Sequence, residues 1–157
     1  FGMYVACIDT HIVYPLSFVD ANYEDKDLEE IISTFDVVII SAPLTNVSRN
    51  RFNKKILKRM KQNSILINVS RGEIINIEDL LESLSMNRFL GVGLDVIDVE
   101  PIKKSHKLFK YNQVIYTHHV AGLTDNRTRR FELIRHNIEN YVSNKKLSNE
   151  VDKLHGY

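Results

Sequence analysis

Three side chains in this sequence, Arg71, Glu100 and His119, are of types that together can bind a carboxylate and transfer a proton. Each stands beyond a short apolar segment, in the contexts Asn-Val-Ser-Arg-Gly-Glu, Leu-Asp-Val-Ile-Asp-Val-Glu-Pro and Thr-His-His-Val-Ala-Gly-Leu-Thr. The planar guanidinium of arginine binds a carboxylate through two parallel hydrogen bonds and polarises a neighbouring carbonyl. Imidazole titrates near neutral pH, and a carboxylate partner stabilises its protonated form. The set is therefore a candidate substrate clamp, carboxylate partner and general acid–base.

Each of these residues also has a purely structural interpretation. Arg71 could pair with an acid at the surface, Glu100 could be an ordinary loop carboxylate, and a lone histidine after a strand is more often structural than catalytic. His118 is a rival for the acid–base role, because adjacent side chains leave an extended segment in opposite directions. Metal ligation by His118 and His119 has little support, because neighbouring residues rarely chelate one ion. For His119 the catalytic interpretation therefore rests on the combination of the three residues.

Asp9 follows the first apolar segment and is a candidate for binding a nucleotide. An acidic residue at the end of the second strand of a dinucleotide-binding unit accepts hydrogen bonds from the adenine ribose hydroxyls of NAD. Thr10 and His11 follow it, and the lack of an arginine to hold a 2′-phosphate favours NAD over NADP. Aspartate also commonly opens a turn after a strand. The fingerprint G-x-G-x-x-G, which would decide between the two, belongs roughly 20 residues earlier and is not in the chain.

Short apolar segments rich in β-branched residues predict five buried strands, at residues 4–8, 37–40, 65–69, 90–96 and 113–116. Apolar residues at helical spacing predict helices at 28–35, 52–60 and 77–84, with Asn76 as the N-cap of the third. A longer helix is predicted to open near Thr124 or Asp125, before a polar tail at 145–157. Strands with little alternation between helices predict a parallel sheet covered on both faces.

The candidate polar residues fall just after the predicted strands. In chain order they are Asp9, the segment 43–45, Arg71, Asp95 with Glu100, and His119. In an open parallel sheet, ligands bind outside the carboxyl ends of the strands, because loops and helix N-termini converge there. The placement predicts one site at this edge of the sheet.

Length, charge and cysteine content exclude several other classes of function. With 157 residues, of which 43% are hydrophobic, the chain can bury the core of one ordinary domain. Its 21 basic and 20 acidic side chains give a formal charge of +1 without a basic stripe, so nucleic acid and membrane surfaces are not expected as partners. The single cysteine, Cys7, excludes an internal disulfide framework and fits a cytoplasmic setting. No apolar run approaches the roughly 18 residues that a membrane span needs.

Several short motifs occur in a fixed order along the chain. They are Phe1-Gly2-Met3, Pro43-Leu44-Thr45, Asn68-Val-Ser-Arg-Gly72, Gly93-Leu-Asp-Val96 followed by Glu100-Pro101, and His118-His-Val-Ala-Gly-Leu-Thr124. In this combination they resemble the D-isomer-specific 2-hydroxyacid dehydrogenases, from Phe1 to about Val151. Two departures stand out: His118 occupies the usual place of a proline, and Lys103-Lys104 replaces a proline-containing continuation. Register with the family still assigns the acid–base role to His119.

The resemblance implies NAD-dependent hydride transfer to or from a 2-oxo or 2-hydroxy acid, in a homodimer. Arg71 would hold the substrate carboxylate and carbonyl, His119 would give or take the hydroxyl proton, and Glu100 would orient and charge His119. The protein's partner would be this small molecule, and no metal is implied. The residues implied to contact the cofactor are Asp9, Pro43, Thr45, Val69, Ser70, Arg71, Asp95, His119 and Gly122.

The implied fold is of the α/β class, a Rossmann-like doubly wound parallel sheet, truncated before the glycine-rich turn and followed by a long C-terminal helix. Residues 1–124 would form a partial NAD-binding domain, and residues 125–157 a helix and tail returning toward a substrate domain. Because the family builds that domain largely from preceding residues, we expect this chain alone to be inactive and to bind NAD poorly. Two other hypotheses stay open: a non-catalytic NAD(H)-sensing or dimerisation module of the same fold, and a fragmentary gene product.

Overall fold

The order of strands and helices is that of an α/β protein. The structure is a computed structural model that describes residues 2–9, 17–123, 127–151 and 153. The chain divides into two compact units, residues 1–118 and residues 119–157. The elements are β1 (Ala6–Asp9), β2 (Ala21–Glu24), α1 (Leu28–Ile31), β3 (Val37–Ile40), α2 (Lys54–Arg59), β4 (Ser64–Asn68), α3 (Ile77–Ser85), β5 (Phe89–Leu94), β6 (Val114–Tyr116) and α4 (Arg127–Val142).

The strands of the first unit pair in two parallel groups. β1 pairs with β2, and β3, β4, β5 and β6 form a second sheet in that order. Parallel neighbours need a crossover connection, and the helices α2 and α3 supply it between β3 and β5. Parallel sheets with flanking helices confirm the predicted α/β class.

The register of the ladders brings the carboxyl ends of the four-stranded sheet to one level. Ile40 is paired with Asn68, Asn68 with Leu94, and Leu94 with Tyr116. Each of these four residues ends its strand. The loops after β3, β4, β5 and β6 therefore leave the sheet from a single edge.

The helices α1, α2 and α3 pack on one face of this sheet. The alternate strand residues Ile40, Leu66, Val92 and Leu94 are buried there in one apolar cluster. Burying each such side chain stabilises the fold by about 1.5–3 kcal/mol, which fixes the strands against the helices. The helices contribute Leu28, Ile56, Leu57, Leu80, Leu81 and Leu84 to the same cluster.

The opposite face of the four-stranded sheet is apolar as well, but more open. Ile39 is 61% exposed and Ile115 is 72% exposed, and Ile65 and Ile67 are half-buried. The sequence predicts burial on both faces because both carry apolar residues. In the structure burial alternates along β3 and β4, since α1, α2 and α3 cover only one side.

Asparagine side chains cap the N-termini of α2 and α3. The Asn76 side chain accepts a hydrogen bond from the Asp79 N–H, which confirms the predicted N-cap. The Asn53 side chain does the same for the N–H groups of Lys55 and Ile56. Between the helices, Lys54 Nζ lies 2.7 Å from Glu82 Oε2, and this bond lowers the pKa of the Glu82 carboxyl.

The structure differs from the predicted elements mainly on the N-terminal side. β2 is not among the predicted strands, because its sequence Ala-Asn-Tyr-Glu alternates polar and half-buried residues and lacks an apolar run. The predicted helix 28–35 is one α-turn, α1, between single 3₁₀ turns at Asp25–Asp27 and Ile32–Thr34. The first strand begins at Ala6, two residues later than predicted, and the residues described before it are exposed.

The other predicted elements lie close to their observed bounds. The four later strands and the helices at 52–60 and 77–84 agree with the structure within two residues at each end. Thr124 and Asp125, predicted to open the long helix, lie outside the described residues, as do Phe1, Thr10 and His11.

The second unit contains α4, whose C-terminal half is tied to the segment that follows it. Asn137 Nδ2 donates to the Ser148 carbonyl at 3.0 Å, and the Ser148 N–H donates back to Asn137 Oδ1 at 2.8 Å. Apolar side chains of α4, among them Ile134 and Ile138, are exposed. Within the ranges that the structure describes, no helix is long and apolar enough to cross a membrane.

Replacing Leu57 by Ala tests the packing of α2 on the sheet. Leu57 is fully buried in the apolar cluster, so we expect the free energy of unfolding to fall by about 2–5 kcal/mol. Its exposed neighbour Lys58 is the matched control, and Lys58→Ala should change stability by less than about 0.5 kcal/mol. Urea titration measures both, and equal losses would contradict this packing.

Candidate functional site

The turn after β4 carries Arg71 and is fixed from both of its sides. The Asn68 side chain accepts from the Ser70 N–H at 3.0 Å and donates to the Arg71 carbonyl at 2.9 Å. The Ser70 hydroxyl donates to the carbonyl of Ala42 in the loop after β3. Arg71 itself is exposed, and its Nη1 donates to the Ser70 carbonyl at 2.8 Å. The guanidinium therefore stands at the sheet edge on a well-tethered turn.

Asp95 and Thr117 continue the ladders by one residue beyond β5 and β6. The Asp95 N–H donates to the Asn68 carbonyl and the Thr117 N–H donates to the Leu94 carbonyl, each at 2.9 Å. Asp95 is only 5% exposed, and its Oδ1 accepts a hydrogen bond from the Thr117 hydroxyl at 2.5 Å. A short bond of this kind is typical of a hydroxyl on a carboxylate. It holds the buried Asp95 carboxylate in one orientation.

The segment 43–45 after β3 forms a tight turn around Ser48. The Ser48 hydroxyl donates to the Pro43 carbonyl at 2.7 Å and accepts from the Thr45 N–H at 2.8 Å. The Thr45 hydroxyl accepts from the Ser48 N–H at 3.1 Å. Such side-chain to backbone bonds are the usual way in which serine and threonine stabilise a turn. Pro43 is exposed and Thr45 half-buried next to the strand end.

Glu100 lies in the loop after β5 and is exposed. Its Oε1 accepts from the Ile97 N–H at 3.1 Å, so the carboxylate is held by its own loop. Burial raises the pKa of the Tyr116 hydroxyl, and the negative charges of Glu100 and Asp95 raise it further. Both carboxylates therefore act electrostatically on the end of β6.

His118 contacts an aromatic ring. It occupies the position at which the family that the motifs resemble usually has proline. Its ring centroid lies 5.4 Å from that of Tyr116, with the planes tilted by 34°. Tyr116 also meets the ring of Phe109 edge-on at 6.3 Å. This ring contact anchors the chain at His118, where a proline would instead fix the backbone angle φ.

His119 and Gly122 lie in the first residues of the second unit, which begins at His119. His119 is exposed and has a φ of 55°, in the left-handed region that residues other than glycine rarely adopt. Such a conformation costs free energy and often marks a functional position. The Gly122 carbonyl accepts from Arg130 Nη2 at 2.7 Å, which ties this segment to α4.

Asp9 ends β1, in the two-stranded sheet. It is exposed and paired in register with Glu24, the last residue of β2. The structure thus gives it the strand-end position that the sequence predicts. Val69, Ser70, Arg71 and Asp95 lie at the common edge of the four-stranded sheet.

Sequence reasoning missed the residues that hold this edge in place. Asn68 and Leu66 share the buried face of β4. A polar residue at a core position of a predicted strand indicates that its side chain is hydrogen-bonded, and this signal could have identified Asn68. Ser48 and Thr117 have no comparable signal, because their partners come from the folded loops. Within the part of the chain that the structure describes, no group of three or more His, Cys, Asp or Glu could hold a metal ion.

Comparison with known proteins points to one family. Residues 1–121 match the NAD-binding domain of the D-isomer specific 2-hydroxyacid dehydrogenases. The chain is 31% identical over 139 residues to a glyoxylate reductase of Thermofilum pendens, covering 88% of this chain and 41% of that protein. It is 30% identical over 142 residues to a hydroxypyruvate reductase of Blautia hydrogenotrophica, covering 90% and 44%. The chain therefore spans less than half the length of these curated relatives.

A solved structure shares the fold. It is an NADPH-dependent glyoxylate/hydroxypyruvate reductase of Sinorhizobium meliloti in complex with NADP and sulfate. Its TM-score is 0.88 at 27% identity, covering 99% of this chain and 50% of that chain. This agreement confirms the predicted Rossmann-like architecture.

Replacing Thr117 by Val tests the hydrogen bond that orients Asp95. The substitution keeps the branched shape but removes the hydroxyl from a buried carboxylate, so we expect the free energy of unfolding to fall by about 1–3 kcal/mol. Thr117→Ser keeps the hydroxyl and is the matched control, with a smaller expected loss. Urea titration compares the two, and a greater loss in the serine variant would assign the effect to packing instead.

Proposed function

Because the chain belongs to the D-isomer-specific 2-hydroxyacid dehydrogenase family, whose NAD-binding domain matches residues 1–121, we propose that the complete protein is an NAD-dependent oxidoreductase of D-2-hydroxy acids. In reverse it reduces 2-oxo acids. The observation that carries this proposal is that the strands of the four-stranded sheet end at one level. The Arg71 turn and the buried Asp95 carboxylate both lie just beyond these ends. The activity is proposed for the complete protein, since this chain spans less than half of its relatives.

The residues at the strand ends fit a nicotinamide dinucleotide. Asp9 carries an exposed carboxylate that can accept hydrogen bonds from ribose hydroxyls. Asp95 carries a buried carboxylate with a fixed orientation, suited to accept from a carboxamide. When bound, the oxidised cofactor NAD⁺ would accept the hydride, and the reduced cofactor NADH would supply it. The other residues proposed to line it are Pro43, Thr45, Val69, Ser70, Arg71, His119 and Gly122.

Arg71 is proposed to hold the substrate. Its guanidinium is exposed at the sheet edge, and the bond from Nη1 to the Ser70 carbonyl leaves further N–H donors for a carboxylate. Two parallel hydrogen bonds would fix the carboxylate, and the positive charge would stabilise negative charge on the adjacent oxygen as the carbonyl is reduced.

His119 is proposed to give a proton to the carbonyl oxygen during reduction and to take it back during oxidation. His118 is less suited to this role, because its ring lies against Tyr116. Glu100 is proposed as the carboxylate that stabilises the protonated imidazole, a role carried over from the family by its place before Pro101.

We also propose a cytoplasmic homodimer whose partners are 2-hydroxy and 2-oxo acids, with no nucleic-acid or membrane partner. The dimer rests on the family resemblance. The cytoplasmic setting rests on the cysteine content, since the one cysteine in the sequence, Cys7, is half-buried and has no second cysteine to pair with.

Replacing His119 by Gln in the complete protein tests the proton carrier. Glutamine keeps a polar side chain but cannot transfer a proton, so we expect kcat for NADH oxidation with glyoxylate or hydroxypyruvate to fall about 100- to 10,000-fold. NADH binding, followed by its fluorescence, should be unchanged.

His118→Gln is the matched control for this test and should retain activity. Loss of turnover in His118→Gln but not in His119→Gln would reverse the assignment. NADH binding without turnover of any 2-oxo acid by the unmodified protein would instead favour the non-catalytic NAD(H)-sensing module.

Replacing Asp9 by Ala tests the preference for NAD. The carboxylate accepts from ribose hydroxyls and repels a 2′-phosphate, so its loss should lower the ratio of kcat/KM with NADH to that with NADPH by roughly tenfold or more. Glu24→Gln, at the paired end of β2, is the control and should leave the ratio unchanged. An unchanged ratio in Asp9→Ala would remove Asp9 from the cofactor site.

A further inference from the structure

Asn68 is a polar side chain in a core position. It is 0% exposed and shares the covered face of β4 with Leu66, which belongs to the apolar cluster. Burying an amide away from water costs free energy unless its donors and acceptor are bonded. The groups to which the Asn68 side chain is hydrogen-bonded therefore indicate its role.

The side-chain hydrogen bonds of Asn68 are made to the turn that carries Arg71. The amide oxygen accepts from the Ser70 N–H at 3.0 Å, and the amide nitrogen donates to the Arg71 carbonyl at 2.9 Å. The backbone carbonyl of Asn68 accepts from the Asp95 N–H at 2.9 Å. One residue thus closes the Arg71 turn and ties it to the end of β5.

The turn that carries Arg71 also packs closely against the loop that carries Glu100. A Cβ added to Gly72 would lie 1.9 Å from the carbonyl carbon of Ile97 and 2.3 Å from the Asp98 nitrogen. Ile97 in turn donates its N–H to Glu100. The Arg71 turn therefore packs backbone against backbone on the loop that carries Glu100.

The direction of the Arg71 guanidinium depends on the same turn. Its Nη1 donates to the Ser70 carbonyl, and Ser70 is held by Asn68 through its N–H. We propose that Asn68 is a positioning residue for Arg71, so that its amide sets where the guanidinium meets the substrate carboxylate. This inference rests on the proposed function, in which Arg71 holds the substrate.

A double-mutant cycle in the complete protein tests the proposal. Asn68→Ala should lower kcat/KM for glyoxylate about 10- to 100-fold, because small misplacements of binding groups are costly. In an Arg71→Ala background the same substitution should change kcat/KM by less than about twofold, since the residue it acts through is gone. Asn68→Ser is the second variant, for use if the alanine variant does not fold.

Ser64→Ala is the matched control. Ser64 lies on the same strand and the same face, is also 0% exposed, and its hydroxyl has no hydrogen-bond partner among the described residues. Ser64→Ala should leave kcat/KM for glyoxylate unchanged, both in the otherwise unmodified protein and in the Arg71→Ala background. A merely structural role for Asn68 would give the same fold loss with and without Arg71, and that result would overturn the proposal.

Oxalate, a non-reacting dicarboxylate, separates this inference from the proposed function. If the unmodified protein turns over no 2-oxo acid, the proposed function fails, and oxalate affinity measured by calorimetry then decides the role of Asn68. Binding at least about tenfold weaker in Asn68→Ser than in Ser64→Ala would support positioning of Arg71. Equal affinities would reject it.

Discussion

The parallel ladder of β3, β4, β5 and β6 is the constraint on which the rest of the structure depends. Because the strands are in register at their last residues, their loops begin at one level. A slip of one residue in β4 would turn Asn68 to the open face and bring Ile67 into the core. The buried face, packed by three helices, prevents such a slip. Packing on one side of the sheet thereby sets the geometry of its edge.

Charge has a smaller part in building this edge. The ion pairs Lys54–Glu82, Lys55–Glu29 and Lys61–Asp36 join surface segments away from the carboxyl ends of the strands, and exposed pairs of this kind contribute little stability. At the edge itself, hydrogen bonds of backbone groups, amides and hydroxyls join the turns and loops. The Arg71 guanidinium and the Asp95 carboxylate are thus held by short, directional bonds that salt screens weakly.

Much of the fold could be predicted because its signals are local. Apolar β-branched segments locate β3 and β4, and Asn76 before an amphipathic segment locates the start of α3. β2 could not be found this way, because a short half-buried strand with alternating polar residues depends on its partner. In the candidate site, position after a predicted strand was enough to place Arg71 and Asp95 at the carboxyl edge of the sheet, where they lie in the structure. Thr117 was not found because its partner, Asp95, lies 22 residues away in sequence and meets it only in the folded chain.

The close approach at Gly72 limits how this site can change. Any side chain at position 72 would collide with the backbone of residues 97 and 98, so glycine is required there for reasons of space. Invariance at this position among relatives would then report packing and not chemistry. Change in the candidate site is therefore confined to neighbouring positions that have room for a different side chain, such as Val69, which is 40% exposed at the same edge.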